Sequence, residues 1–106
     1  MPKFLIEATY TAQGLKGLQK DGASGRLAAV TEAVRSLGGT VESMHYALGK
    51  NDTVILVELP DAGAVAALGA AVVASGMART QATALLTIAE MDQALSRNAS
   101  YRGPGQ

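Results

Sequence analysis

The sequence predicts a single α+β domain in the order βαββαβ, and three observations carry that expectation. Two segments, 3–10 and 78–89, alternate in the period of two that suits a half-covered strand. A third, Thr53 to Leu59, is apolar at five of seven positions with Glu58 its only charge, the pattern of a strand covered on both faces. Between them lie two stretches with apolar residues at three- and four-residue steps, each closed by glycine.

The first strand, Lys3 to Tyr10, puts Phe4, Ile6 and Ala8 on one face and Leu5, Glu7 and Thr9 on the other. Thr11 to Gly25 holds four glycines and little periodicity, so a loop is expected there, with one helical turn at most near Gly14 to Gln19. Ser24 is then placed to cap a helix with Leu27, Val30, Val34 and Leu37 on its apolar side. Gly38-Gly39 stops it, Gly38 suiting the left-handed C′ position. Thr40 to Ala47 is a more polar strand and hence an edge, and Gly49-Lys50-Asn51-Asp52 carries turn chemistry before the central strand. Pro60 ends that strand, and Asp61 caps a second helix running to Ser75, with Val65, Leu68, Val72 and Val73 buried and Gly76 as its stop. The remaining surface of this helix is nearly all Ala and Gly, which fits a face covered by another subunit and a plain compositional bias equally well. Ala78 to Ala89 is the fourth strand, with Ala82, Ala84, Leu86 and Ile88 on one side. Glu90 to Arg97 makes a short C-terminal helix, so the domain spans 1–97 and 98–106 is a flexible tail.

Right-handed crossovers turn this order into a four-stranded antiparallel sheet, 4-1-3-2, with both helices on one face. Phe4, Ile6, Ile55 and Val57 then lie under the helices, while Leu5, Glu7, Thr9, Val54, Leu56 and Glu58 occupy a bare face. Such a half-apolar face predicts self-association into a homodimer or higher homo-oligomer, most simply sheet against sheet.

Composition narrows the partners. Nine basic and nine acidic residues cancel, which argues against nucleic acid or an anionic membrane as partner. One Phe, three Tyr and no Trp leave few stacking platforms. The chain has no Cys, hence no disulfide or thiolate metal site. The start leads straight into a strand, and the Ala/Val-rich run 62–74 is too short to span a bilayer, so a soluble cytoplasmic protein is expected. In that setting the acceptor patterns at Asn51 and Asn98 are chance matches.

Several short motifs in fixed order resemble the GYD-domain family: Tyr10-Thr11 with Gly14, Gly38-Gly39, Gly49-Lys50-Asn51-Asp52, Glu58-Leu59-Pro60-Asp61, Gly76, and Arg79-Thr80. The likeness runs from about Lys3 to Met91, and Asn51 stands where the family's Gly-x-Tyr-Asp motif has tyrosine. The resemblance implies a bacterial or archaeal protein with a ferredoxin-like fold akin to the dimeric α+β barrels, and implies no particular activity.

The residues offer few candidates for chemistry. His45 is the only side chain whose unperturbed pKa lies near neutrality. A hairpin about Gly49-Lys50 sets it opposite Val54, where it is a general base, a lone metal ligand or, more commonly for an edge strand, a solvated histidine. Glu7 and Glu58, taken to lie side by side on parallel-running central strands of the bare face, form a candidate acid/base pair or, more commonly, separate ion pairs. Lys16, Lys20 and Arg26 flank a Gly22-Ala23-Ser24-Gly25 turn into a helix N-terminus, a weak anion-binding pattern and more naturally a lid. Tyr10 and Arg79 fall near strand ends beside it, so Tyr10, Lys16, Arg26 and Arg79 are the candidate ligand-binding residues. Neither a P-loop nor a dinucleotide fingerprint is present, and no cofactor or metal is expected. Three functions stay open: a homo-oligomer binding a small molecule, a cofactor-independent enzyme using Glu7, Glu58 and His45, and a structural assembly protein.

Overall fold

The alternation in the sequence becomes strand pairing. The computed structural model describes residues 1–106, with β1 (Lys3–Tyr10), α1 (Ala12–Ser36), β2 (Thr40–Tyr46), β3 (Thr53–Glu58), α2 (Ala62–Ala74), β4 (Ala78–Leu85) and α3 (Ile88–Leu95). The sheet has the order β2-β3-β1-β4, which is the expected 4-1-3-2. Every neighbouring pair is antiparallel. Phe4 pairs with Val57 and Ile6 with Ile55, so the two apolar rows meet under the helices. With Val34, Leu59 and Leu68 they form the core. No helix is long and apolar enough to cross a membrane.

Each element is fixed by local chemistry at its ends. The α1 stop is a Schellman motif: the Gly39 N–H donates to the Val34 carbonyl at 3.0 Å and the Gly38 N–H to the Arg35 carbonyl at 2.9 Å. Gly38 takes φ 85°, and a Cβ on Gly39 would overlap the Glu58 carbonyl, so both glycines are required. Asp61 caps α2 by accepting from the Ala64 N–H at 2.8 Å, and Gly76 ends that helix at φ 75°. The β2–β3 hairpin turns about Gly49-Lys50, pairing Tyr46 with Thr53 and His45 with Val54. Asp52 ties this turn to β1: its N–H donates to the Ala8 carbonyl, and its carboxylate accepts from the Tyr10 N–H, both at 2.8 Å.

Four expectations need correction. Residues 12–21 are helical, not a loop, and Thr11 rather than Ser24 is the cap, accepting from the Gly14 N–H at 3.1 Å. Tertiary contact outweighs glycine's poor helix propensity here, because Gly14 sits where a Cβ would overlap the Met77 carbonyl. Gly22, at φ 75° and ψ 164°, breaks the helical path, which resumes at once. The fourth strand stops at Leu85, and Leu86 to Ala89 do not extend it. The backbone turns into α3 at a capping box in which Thr87 and Glu90 bond reciprocally, at 2.9 and 3.1 Å. Leu27 and Val73 are not buried but 44% and 51% exposed, Val73 on a helix that lies mainly over the edge strand β4. Finally, β1 and β3 run antiparallel, so Glu7 and Glu58 lie at opposite ends of the bare face.

The helices do not close over the middle of the sheet. Helix α1 lies mainly over the edge strand β2 and α2 mainly over the edge strand β4. The central strands are therefore roofed by the gap between them, and that gap is the feature on which function can be built.

Candidate functional site

The gap is a cleft of about 120 Å³ whose lining is 15 parts hydrophobic in 19. Its floor is Ile6, Ala8, Ile55 and Val57 from the central strands, and its walls include Val30 and Val34 of α1 and Val65, Leu68 and Val72 of α2. Small residues make the space: Gly69 and Ala82 stand where larger side chains would reach across. A second lobe of about 370 Å³ opens beneath the first half of α1 and shares Tyr10, Arg26, Ala33, Leu68, Val72 and Ala78 with the inner one.

Polar groups gather at one end. Thr53, at the start of β3, is 1% exposed, and its hydroxyl faces no hydrogen-bonding partner. Tyr46 pairs across the ladder with Thr53, and its hydroxyl meets that of Tyr10 at 3.3 Å. Burial, reinforced by the Tyr10 hydrogen bond, pushes the Tyr46 hydroxyl up to about 12, with Arg26 pulling the other way. Tyr46 therefore keeps its proton at neutral pH. Arg26, just past the Gly22 kink, lines both lobes and sits 3.6 Å from Asp21 on the far side of the kink. An apolar trough ending in a guanidinium, the Tyr10 phenol and an unpartnered hydroxyl, with Tyr46 behind Tyr10, suits a molecule with an apolar body and one hydrogen-bond-accepting head.

Of the candidate ligand-binding residues, Tyr10 and Arg26 line the cleft. Lys16 is exposed on the first half of α1 and lines neither lobe. Arg79 pairs with Thr9 on the opposite face of the sheet. The candidates Glu7, Glu58 and His45 also lie on that opposite face, and each has its own neighbours. Glu7 accepts from the Asn51 amide at 2.9 Å, and the Thr9 hydroxyl is 3.1 Å from the Asn51 carbonyl oxygen. Asn51, at the position where the motif has tyrosine, thus serves as a clamp on the end of β1. Glu58 is 4.0 Å from Lys3, which pairs with Glu42 at 2.7 Å. The Lys3 hydrogen bond holds the Glu42 carboxyl below its usual range and raises Lys3. His45 is exposed opposite Val54. Four residues along antiparallel strands, roughly 13 Å, separate Glu7 from the level of Glu58, so the two carboxylates do not form a pair.

Thr53, which lines the cleft, and Tyr46, which touches the lining residue Tyr10, are the residues that sequence reasoning passed over. Tyr46 was available from the period of two, since placing His45 on the bare face puts Tyr46 on the helix side with Tyr10. Thr53 carried only a faint signal, a hydroxyl opening an otherwise aliphatic run.

A family model described as GYD domain matches residues 4–95 of the 106-residue chain. No curated protein matches the sequence.

Proposed function

The chain belongs to the GYD-domain family, and from that premise we propose that it binds a small apolar molecule carrying a carboxylate or carbonyl head in the cleft between helices and sheet. The observation that carries this reading is the Thr53 hydroxyl, buried, unpartnered and facing an apolar cleft. A buried hydroxyl left without a partner costs about 1–3 kcal/mol, and a bound head group or a water held with it removes that cost. A cavity of roughly 150 Å³ accommodates benzene, so the inner lobe accepts a body of about that size and the outer lobe accepts an extension. Binding is favoured over acid–base catalysis because the candidate acid–base groups Glu7, Glu58 and His45 are on the other face of the sheet.

The bare face supports a homodimer in the same reading. Leu5, Val54, Leu56 and Leu85 occupy its middle and one end, with the Lys3–Glu42 pair and Glu58 at that end and Asn51, Glu7 and Arg79 toward the other. An apolar centre with a polar rim is the anatomy of a protein interface.

Native mass spectrometry of protein purified gently from its own host, beside the denatured chain, tests both parts. A retained apolar acid or carbonyl compound in a twofold assembly is the expected result. Thermal unfolding with benzoate and hexanoate, against benzyl alcohol and hexanol, extends it: the acids raise Tm in the native chain and fail to do so in Arg26→Gln. No retained mass, together with equal Tm for acids and alcohols, rejects the binding proposal.

A further inference from the structure

Helix α3 projects from the domain as an arm. The molecule measures 57 × 32 × 23 Å with a radius of gyration of 16.9 Å, where a compact chain of this length has about 13 Å. No substantial contact joins α3 to any other element, and the side-chain hydrogen bonds of Thr87 to Ser96 all stay within the arm. Yet the arm is amphipathic. Ile88, Met91 and Leu95 recur at the three- and four-residue steps of one helical face, 82%, 44% and 69% exposed. Helices shorter than about 12–15 residues are marginal alone in water, so two capped turns with an apolar stripe suit a helix that packs on something.

The chain carries the complementary surface but cannot bring it to the arm. Only Leu86 and Thr87 separate β4 from α3, and Thr87 is held extended, at φ −70° and ψ 164°, by its capping box. That connection directs the arm off the end of the sheet. Leu85 continues the bare-face row of Leu5 and Leu56 up to the root of the arm, so the two unpartnered apolar surfaces are continuous. Charge agrees as well. Asp92 flanks the stripe, about 40° from Ile88 around the helix, and the bare face offers Arg79, which has no ion pair within its own chain.

We infer that α3 is an exchanged arm, whose Ile88–Met91–Leu95 stripe packs on the bare sheet face of a second copy of this chain, reciprocally about a twofold axis. Closed exchange satisfies both surfaces in each copy and leaves no sticky end. The inference rests on the reading of the bare face as the subunit interface, and the test separates the two. Analytical ultracentrifugation compares the native chain with full-length Ile88→Glu/Leu95→Glu, whose substitutions touch no part of the core and should leave the circular dichroism unchanged. A native dimer that weakens at least tenfold in the double variant supports the arm. A native dimer unchanged by it overturns the arm and keeps the sheet interface, while a native monomer at micromolar concentration overturns both. Because the chain has no cysteine, an exchange test is clean: Met91→Cys chains are mixed with chains carrying Ser43→Cys or Thr83→Cys, at the two edges of the bare face. Disulfide-linked heterodimers at either position support exchange, and their absence at both overturns it.

Discussion

Replacing Thr53 by Val separates a cleft that holds a ligand from one that is merely loosely packed. The two side chains have nearly the same shape, and Val puts a methyl group in place of the hydroxyl that is buried without a partner. Relieving an unsatisfied buried hydroxyl is worth about 1–3 kcal/mol. With an unfolding entropy of roughly 2.1 cal/mol/K per residue, a chain of this length converts that to a rise in Tm of about 4–13 °C. That rise is expected for protein stripped of small molecules by unfolding and refolding. Protein carrying its ligand should respond in the opposite sense, because the head group loses a hydrogen bond: the Tm increment given by the ligand shrinks in the variant. Differential scanning calorimetry of stripped and loaded protein, native and Thr53→Val, reads all four states. A stripped Val variant less stable than the stripped native chain refutes the reasoning, since the hydroxyl would then be satisfied without any ligand.

Two further substitutions test the frame of the site. The raised Tyr46 hydroxyl binds its proton more tightly in the folded than in the unfolded chain, so its contribution is complete below pH 10 and is lost as the pH rises toward about 12. Stability of the native chain should fall across that window more steeply than that of Tyr46→Phe, and the phenolate absorbance step near pH 12 should vanish in the variant. Gly14→Ala and Gly17→Ala sit one turn apart in α1 and should act oppositely. A Cβ at 14 overlaps the Met77 carbonyl and should cost about 1–3 kcal/mol, whereas a Cβ at 17 meets nothing within 4 Å and should gain up to ~1 kcal/mol in helix propensity. Urea unfolding of both variants checks the signs.

What the sequence disclosed, and what it hid, follows from the range of the forces involved. Strand faces, the Gly38 and Gly76 stops and the Asp61 cap depend on neighbours within a few residues, and the order of the sheet follows from the element order and right-handed crossovers, so all were legible. The helix at 12–21 was not, because what stabilises it is remote: the Thr11 hydroxyl donates to the Gly76 carbonyl at 2.8 Å, and Gly14 rests against Met77. The end of β4 was legible in principle, since Thr87-x-x-Glu90 is a capping box, but alternation through Ile88 imitated a longer strand. The paired Glu7 and Glu58 failed on strand direction, which leaves both on one face while setting them at opposite ends. The cleft depends on which helix covers which strand, a matter of summed volumes that no local pattern encodes.

The cleft and the arm have one origin in composition. Helix α2 is built almost wholly from Ala, Gly and Val, and β4 presents Ala78, Ala82 and Ala84 beneath it. Small side chains let α2 lie close upon β4, and that closeness draws it away from α1 and opens the roof over β1 and β3. Protein interiors are packed like organic crystals, so an unfilled apolar cleft of about 120 Å³ forfeits up to about 3 kcal/mol of packing. The larger apolar residues that would fill it stand elsewhere, with Leu5, Leu56 and Leu85 on the bare face and Ile88, Met91 and Leu95 on the arm. The chain therefore leaves bulky apolar side chains on the bare face and the arm, while Gly69, Ala78 and Ala82 keep the cleft open between its aliphatic walls. Filling the cleft from within tests that division. Gly69→Leu should occupy the space between α2 and the sheet, abolish the ligand-induced rise in Tm and leave the dimer dissociation constant unchanged. A variant that lost both together would place ligand and interface on one coupled surface and refute the separation.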